Sequence, residues 1–283
     1  MTVDIEHLRS WIGRTETIHD VLTAAPLRAL SAMLNLEEAP QNAGDLVPPS
    51  WHWLYFLPMQ RQTEIGPDIE AKRGGFLPPV PLPQRVWAGS QIEFQRPVTV
   101  GQTVVRHSRV EDVRMKEDRS GPVVFVKVLH EVRADGQLAI SERHDIVYRN
   151  MPQPGEPAPA GVRAPDKAPW TRQIDPDNVL LFRHSALTFH GHHIHYDRRC
   201  VTGLKGYPGR MVHAPLIATL LLDLVRRQVP QSRVEHFEFR AVRPVFDIAP
   251  FEVCGRVEGD RQIQLWARTP AGHLAMDASA TLA

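Results

Sequence analysis

The chain has 283 residues, 42% of them hydrophobic and 23% charged, which suits packed cores and excludes a disordered, collagen-like or disulfide-scaffold protein. Its 33 basic residues stand against 32 acidic ones, so no global field draws in a polyanion and nucleic acid is not expected as a partner. Two cysteines, Cys200 and Cys254, match a reducing compartment and are read as free thiols. The N-terminus lacks a basic segment followed by an apolar run, and the longest apolar stretch, 216–225, contains Thr219 and Asp223. Neither export nor a membrane span is expected, and the cytoplasm is the expected setting.

In chain order, Thr15-Glu16-Thr17-Ile18-His19-Asp20 carries a lone histidine, and Pro26 then opens an apolar-periodic helix ending near Leu36. A long insertion follows, up to Gly89, holding Trp51, Trp53, Tyr55, Phe56 and the run Gly74-Gly75-Phe76-Leu77-Pro78-Pro79-Val80-Pro81-Leu82-Pro83. A polyproline ligand for a partner is one reading; an ordered loop packing its aromatics over the core is the reading adopted. Strand-like runs at 103–110 and 123–132 flank the hairpin signal Asp118-Arg119-Ser120-Gly121.

Six prolines between 151 and 170 prevent helix or ladder there and mark a linker. The expected organisation is therefore an N-terminal domain 1–150 without catalytic function, a linker 151–170 and a catalytic domain 171–283. The two parts share three markers in the same order. Pro215 opens a second apolar helix to Val225. Ile92-Glu93-Phe94-Gln95-Arg96-Pro97-Val98 matches Phe239-Arg240-Ala241-Val242-Arg243-Pro244-Val245, and Gly136-Gln137-Leu138-Ala139-Ile140 matches Gly272-His273-Leu274-Ala275-Met276. Strand runs at 251–257 and 262–268 flank Glu258-Gly259-Asp260. Each half thus reads as one helix followed by an antiparallel meander. Because the second helix is apolar on nearly every face, it should be wrapped by its sheet. The fold class is α+β, with a hot-dog arrangement in each half.

Six of the 14 histidines lie between His184 and His213. Histidine suits proton transfer near neutral pH and is also a common metal ligand. In one reading an extended 193–197 segment aligns His193, His195 and Asp197 to seat zinc. In a second the histidines are ordinary, satisfied side chains. In a third, one histidine is a general base, and the helix starting at Ala214 or Pro215 offers unsatisfied N–H groups to an oxyanion. Glycines in Gly203-Leu204-Lys205-Gly206-Tyr207-Pro208-Gly209-Arg210 are read as serving turns, since their spacing is not a phosphate loop.

The segment Phe182-Arg183-His184-Ser185-Ala186-Leu187-Thr188-Phe189-His190-Gly191-His192-His193-Ile194-His195-Tyr196-Asp197, with 206–216 after it, resembles the hydratase motif of MaoC-like double hot-dog enzymes. The branch it is most similar to is that of mitochondrial-type 3-hydroxyacyl-thioester dehydratases and bacterial itaconyl-CoA and mesaconyl-C4-CoA hydratases. Residues 78–89 and Asp145-Ile146-Val147-Tyr148-Arg149 agree. The resemblance implies reversible addition of water to an enoyl thioester, with no metal and no cofactor beyond the coenzyme A of the substrate. It makes His195 the base and the Ala214 N–H the oxyanion donor, and it places His190 where the motif has a carboxylate five residues before the histidine. Ala214 stands where glycine is usual. One site per chain is expected.

Arg183, Arg210, Asp197, Gly209 and His213 are the residues expected against the substrate. Arg183, Arg198, Arg199 and Arg210 bracket the motif, and a guanidinium in the pocket would favour an acyl group with a distal carboxylate. The expected substrate is itaconyl-CoA or mesaconyl-C4-CoA, converted to a hydroxyacyl-CoA such as citramalyl-CoA. The alternatives are a general 3-hydroxyacyl-thioester dehydratase of fatty-acid metabolism, an acyl-CoA thioesterase, and a metal-binding or acyl-binding protein. A homodimer of double hot-dogs is a further expectation.

Overall fold

The computed structural model describes residues 3–66, 72–118, 121–151, 160–204 and 206–283. Ten strands form one antiparallel sheet in the order β1-β3-β4-β5-β2-β7-β10-β9-β8-β6. They are β1 (Thr15–Val21), β2 (Gln84–Phe94), β3 (Thr103–Asp118), β4 (Gly121–Ala134), β5 (Gln137–Arg149), β6 (Trp170–Ile174), β7 (Val234–Ala241), β8 (Phe251–Glu258), β9 (Gln262–Arg268) and β10 (Leu274–Leu282). The order is symmetric about the β2–β7 pair, with β5 and β10, β4 and β9, β3 and β8, and β1 and β6 in corresponding places. At that junction Gly89 pairs with Arg240 and Glu93 with His236. A Cβ on Gly89 would stand 2.3 Å from the carbonyl oxygen of Phe239, so the contact between the halves requires glycine there.

Among the described residues four α-helices accompany the sheet: α1 (Ile5–Arg9), α2 (Ala24–Met33), α3 (Asn178–Leu187) and α4 (Ala214–Gln228). In α4 every residue from Leu216 to Val225 is buried, as an all-round apolar surface demands. Its one buried charge, Asp223, accepts from Arg172 at 2.6 Å and Arg227 at 2.7 Å, and from Arg226. Arg172 and Arg227 also donate to the Leu34 carbonyl behind α2. The polar residue that interrupts the apolar helix therefore ties the two halves together. Leu27 and Leu30 of α2 and Leu216 and Leu220 of α4 belong to one continuous core. Burying a leucine of this kind contributes roughly 1.5–3 kcal/mol.

The insertion after α2 is ordered where it is described. Trp51, Tyr55 and Phe56 are buried in the main core, while Val80 and Leu82 of the proline run enter a second cluster with Tyr148. His52 and Trp53 both bond to the buried Glu142 carboxylate on β5, at 3.0 Å for His52, and His144 does so at 2.7 Å.

Two elements correct the reading of one helix plus a meander per half. An edge strand precedes the helix in each half, β1 paired with β3 and β6 with β8. The second half also carries α3, whose N-cap Asp177 accepts from Leu180 N at 2.7 Å. Residues 152–159 of the proline-rich stretch expected as a linker and Arg119-Ser120 of the first hairpin signal lie outside the described residues. Among the described residues no helix is long and apolar enough to cross a membrane.

Candidate active site

The site is assembled by three short elements between α3 and α4. After α3, Phe189 adopts φ of +50° and His190 N donates to the Ser185 carbonyl at 2.8 Å, which turns the chain back over the helix. Residues 193–195 make a 3-10 turn, so the extended face expected to align His193, His195 and Asp197 for zinc does not form. The Asp197 carboxylate instead accepts from Cys200 N at 2.9 Å, capping the next turn. The chain returns through Met211, whose N–H donates to the Ile194 carbonyl at 2.8 Å, and reaches His213, the N-cap of α4.

This path brings distant histidines together. The rings of His195 and His213 stack with centroids 3.6 Å apart and planes 17° apart. His184 lies 4.4 Å from His213, His190 lies 5.1 Å from His195, and His192 lies 5.9 Å from His195. His193 packs instead against Tyr196. His195 Nδ1 donates to the Met211 carbonyl at 2.8 Å; a carbonyl can only accept, so this bond fixes the proton on Nδ1 and leaves the Nε2 lone pair as a base. His213 Nε2 bonds to Ser185 Oγ at 2.8 Å.

The electrostatics favour neutral rings. Burial pushes His184 down to about 3 and His190 down to about 4, the Arg85 guanidinium on β2 adding to the effect at His190. Burial also holds His195 and His213 well below the ordinary histidine value, with neighbouring histidines contributing. The base form of His195 is therefore fully populated at neutral pH.

Ala214 is the first residue of α4 and is helical, with negative φ, so its Cβ does not strain the backbone. His213 provides no side-chain cap, and helix geometry leaves the first N–H groups of α4 without intrahelical partners. These donors and the helix dipole favour developing negative charge.

Three residues expected against the substrate have structural roles. Arg210 is buried and bonds to Asp247 through both its backbone N–H and its Nε at 2.7 Å, with Arg198 on the same carboxylate. Its guanidinium is thus engaged by a buried carboxylate. Gly209 makes room for that carboxylate: a Cβ there would stand 2.5 Å from Asp247 Oδ1. Asp197 is the cap described above. Arg183 lies on the exposed side of α3. His213 is brought to the base by ring stacking, and Ser185, Met211 and Arg85 were not singled out in the sequence as site residues. No spacing signal in the sequence points to them. In the first half His19 is exposed on β1 and has no such surroundings.

A buried imidazole beside the opening of a helix wrapped by half of a ten-stranded antiparallel sheet fits the class that the comparisons show: a hydro-lyase of the double hot-dog type. The family model for hydroxyacyl-thioester dehydratase type 2 matches residues 50–247, and the chain belongs to that family. It is 42% identical over 276 residues to mesaconyl-C(4)-CoA hydratase of Chloroflexus aurantiacus, covering 96% of this chain and 97% of the relative. It is 23% identical to the mitochondrial hydroxyacyl-thioester dehydratase type 2 of Schizosaccharomyces pombe, over 84% of this chain and 88% of that one. The fold matches the crystal structure of HtdX from Mycobacterium tuberculosis with a TM-score of 0.66 at 21% identity, over 94% of this chain and 99% of that one. It also matches a MaoC-like dehydratase from Phytophthora capsici, with a TM-score of 0.68 at 10% identity, over 99% and 98%.

Proposed function

We propose that the chain hydrates a short dicarboxylic enoyl-CoA, with mesaconyl-C4-CoA as the reference substrate and itaconyl-CoA as the near alternative. The neutral His195, its Nδ1–H committed to Met211, is the observation that carries the chemistry. The identity to the Chloroflexus hydratase over nearly the whole of both chains supports the substrate class.

In the proposed reaction a water molecule is held between His190 and His195. His195 Nε2 takes one proton from it as the oxygen attacks the β-carbon. The thioester carbonyl gains enolate character and is stabilised by the Ala214 N–H. The imidazolium then returns the proton to the α-carbon, so one water is added and His195 is regenerated. Base and oxyanion contributions of this kind are each worth on the order of a hundredfold to a thousandfold in rate. Every step uses groups of this chain and the substrate's coenzyme A, so no resident cofactor is assigned.

The cation we assign to the distal carboxylate is Arg85. It stands on β2 of the first half, and its charge reaches His190. The neighbouring Gln84 bonds to Tyr207 OH at 3.3 Å, which holds the start of β2 against the loop of the site.

Dehydration of a 3-hydroxyacyl thioester, the activity named for the family and the yeast relative, is the second reading. A panel of mesaconyl-C4-CoA, itaconyl-CoA and crotonyl-CoA, run in both directions with wild type and His195→Ala, tests it. Preference for crotonyl-CoA would overturn the dicarboxylic reading, and near-full turnover by His195→Ala would overturn the base. We further assign the enzyme to the cytoplasm, a setting supported by the free thiols Cys200 and Cys254.

A further inference from the structure

Within the site, ring nitrogens converge without hydrogen-bond partners. His190 Nδ1 and His213 Nδ1 are buried and bond to nothing. His195 keeps Nε2 while Nδ1 is held by Met211. His190, His195 and His213 each offer a ring nitrogen, all within 4.8 Å of one another. A buried polar atom left without a partner carries a desolvation cost, which an occupant of the cluster would relieve. Three imidazole nitrogens at this spacing form a donor set that one divalent cation satisfies when each presents its lone pair.

The surrounding bonds fit ligand histidines. A metal-bound histidine usually donates its other N–H to a carbonyl or a comparable acceptor, which fixes the tautomer. His195 does this with the Met211 carbonyl, and His213 Nε2 can do it with Ser185 Oγ, leaving Nδ1 to ligate. The set holds imidazoles and no carboxylate, which selects late transition metals over magnesium or calcium. Three histidines with an open fourth position is a donor set that zinc accepts.

We propose that His190, His195 and His213 bind one divalent late-transition-metal ion, with zinc as the reference, and that the bound ion stops hydration by taking the His195 Nε2 lone pair. The effect on activity rests on His195 being the base; the binding does not. Zinc holds its nitrogens at about 2.0–2.1 Å, closer together than a 4.8 Å spread. The rings of His195 and His213 are stacked 3.6 Å apart, so binding through both draws the three rings inward and opens the stack. The ion is a competitor for the base and not a cofactor of the reaction.

The test is calorimetric titration of chelator-treated, full-length protein with Zn2+ alone, with hydration of mesaconyl-C4-CoA followed across the same titration. The expected result is one ion per chain, activity lost in proportion to occupancy, and recovery on adding EDTA. His190→Ala and His213→Ala should each weaken zinc binding at least tenfold. His193→Ala, whose ring lies outside the set, should leave it unchanged. Absence of zinc binding by a protein that hydrates its substrate would overturn the inference and leave the hydratase reading intact. Binding that ignores the His190 and His213 variants, or that leaves hydration untouched, would overturn it as well. Hydration that requires zinc would keep the site but overturn both its role as competitor and the free-base role of His195.

Discussion

His195 and His213 are 18 positions apart in the chain, yet their imidazoles lie parallel with centroids 3.6 Å apart, one held by the Met211 carbonyl and the other by the Ser185 hydroxyl. The proposed base is thus held both by a backbone bond and by stacking on the ring of His213, the residue at the N-cap position of α4. His195→Ala should lower kcat for the preferred enoyl-CoA by a hundredfold or more while leaving the fold intact, read by steady-state kinetics beside a thermal melt. His213→Ala should cost less in kcat, since it removes a support of the base and not the base itself.

His190→Asp would place a negative charge beside His195. An anion favours imidazolium, so the pKa of His195 should rise and the acid limb of the kcat/KM profile should move to higher pH. The two groups would titrate as a coupled pair. A profile with an unmoved acid limb would show that His190 does not face the base during turnover.

Acid should unfold the protein earlier than its carboxylates alone would dictate. His184 and His190 are held down to about 3 and about 4, while the same residues in the unfolded chain titrate near 6.5. Below pH 6.5 the unfolded chain therefore binds protons that the folded one refuses, and stability falls with falling pH until the folded values are reached. Each such histidine contributes about 1.4 kcal/mol of loss per pH unit within that window. Urea melts between pH 7 and 4.5 measure the slope, and His184→Gln should reduce it.

Asp247 accepts from Arg210 and Arg198 and is almost fully buried. Its neighbour Phe246 forms a β-bridge with Met211, the residue that orients His195. Asp247→Ala strands the buried Arg210 guanidinium and should destabilise the fold by about 3 kcal/mol or more. It should also lower kcat through Met211. Gly209→Ala presses on the same carboxylate and should move both readouts in the same direction by a smaller amount.

Arg85→Met should lower kcat/KM for mesaconyl-C4-CoA at least tenfold and for crotonyl-CoA much less, because only the former presents a distal carboxylate to a guanidinium. Equal losses on the two substrates would assign Arg85 to the reacting atoms rather than to the acyl tail.

Much of the frame was legible in local pattern. Pro26 and Pro215 lie in the first turns of helices that begin at Ala24 and Ala214, the Gly136 and Gly272 markers sit at hairpin turns before β5 and β10, and the apolar surface of 216–225 becomes a buried helix, because each signal acts within a few residues of itself. The strand runs extend past their expected ends, β3 to Asp118, since ladder partners outweigh polar composition at strand termini. The edge strands β1 and β6 were not recognised: five to seven residues of mixed polarity become strands only when β3 and β8 offer them an edge. For α3 the signal lies in the capping residue Asp177 and the apolar run behind it.

The sequence by itself determined that the chain is doubled, that each half has a helix to wrap, and that histidines crowd the stretch before Ala214. Only the tertiary structure decided which histidine stacks on His195, that Asp247 engages Arg210, and that Arg85 of the first half stands within electrostatic reach of His190. Proline, glycine and apolar periodicity act on the backbone over a few residues, so they survive being read in one dimension. Ring stacking and ion pairing depend on distances between segments far apart in the chain, and those distances exist only once β2 has paired with β7 and α4 has been buried.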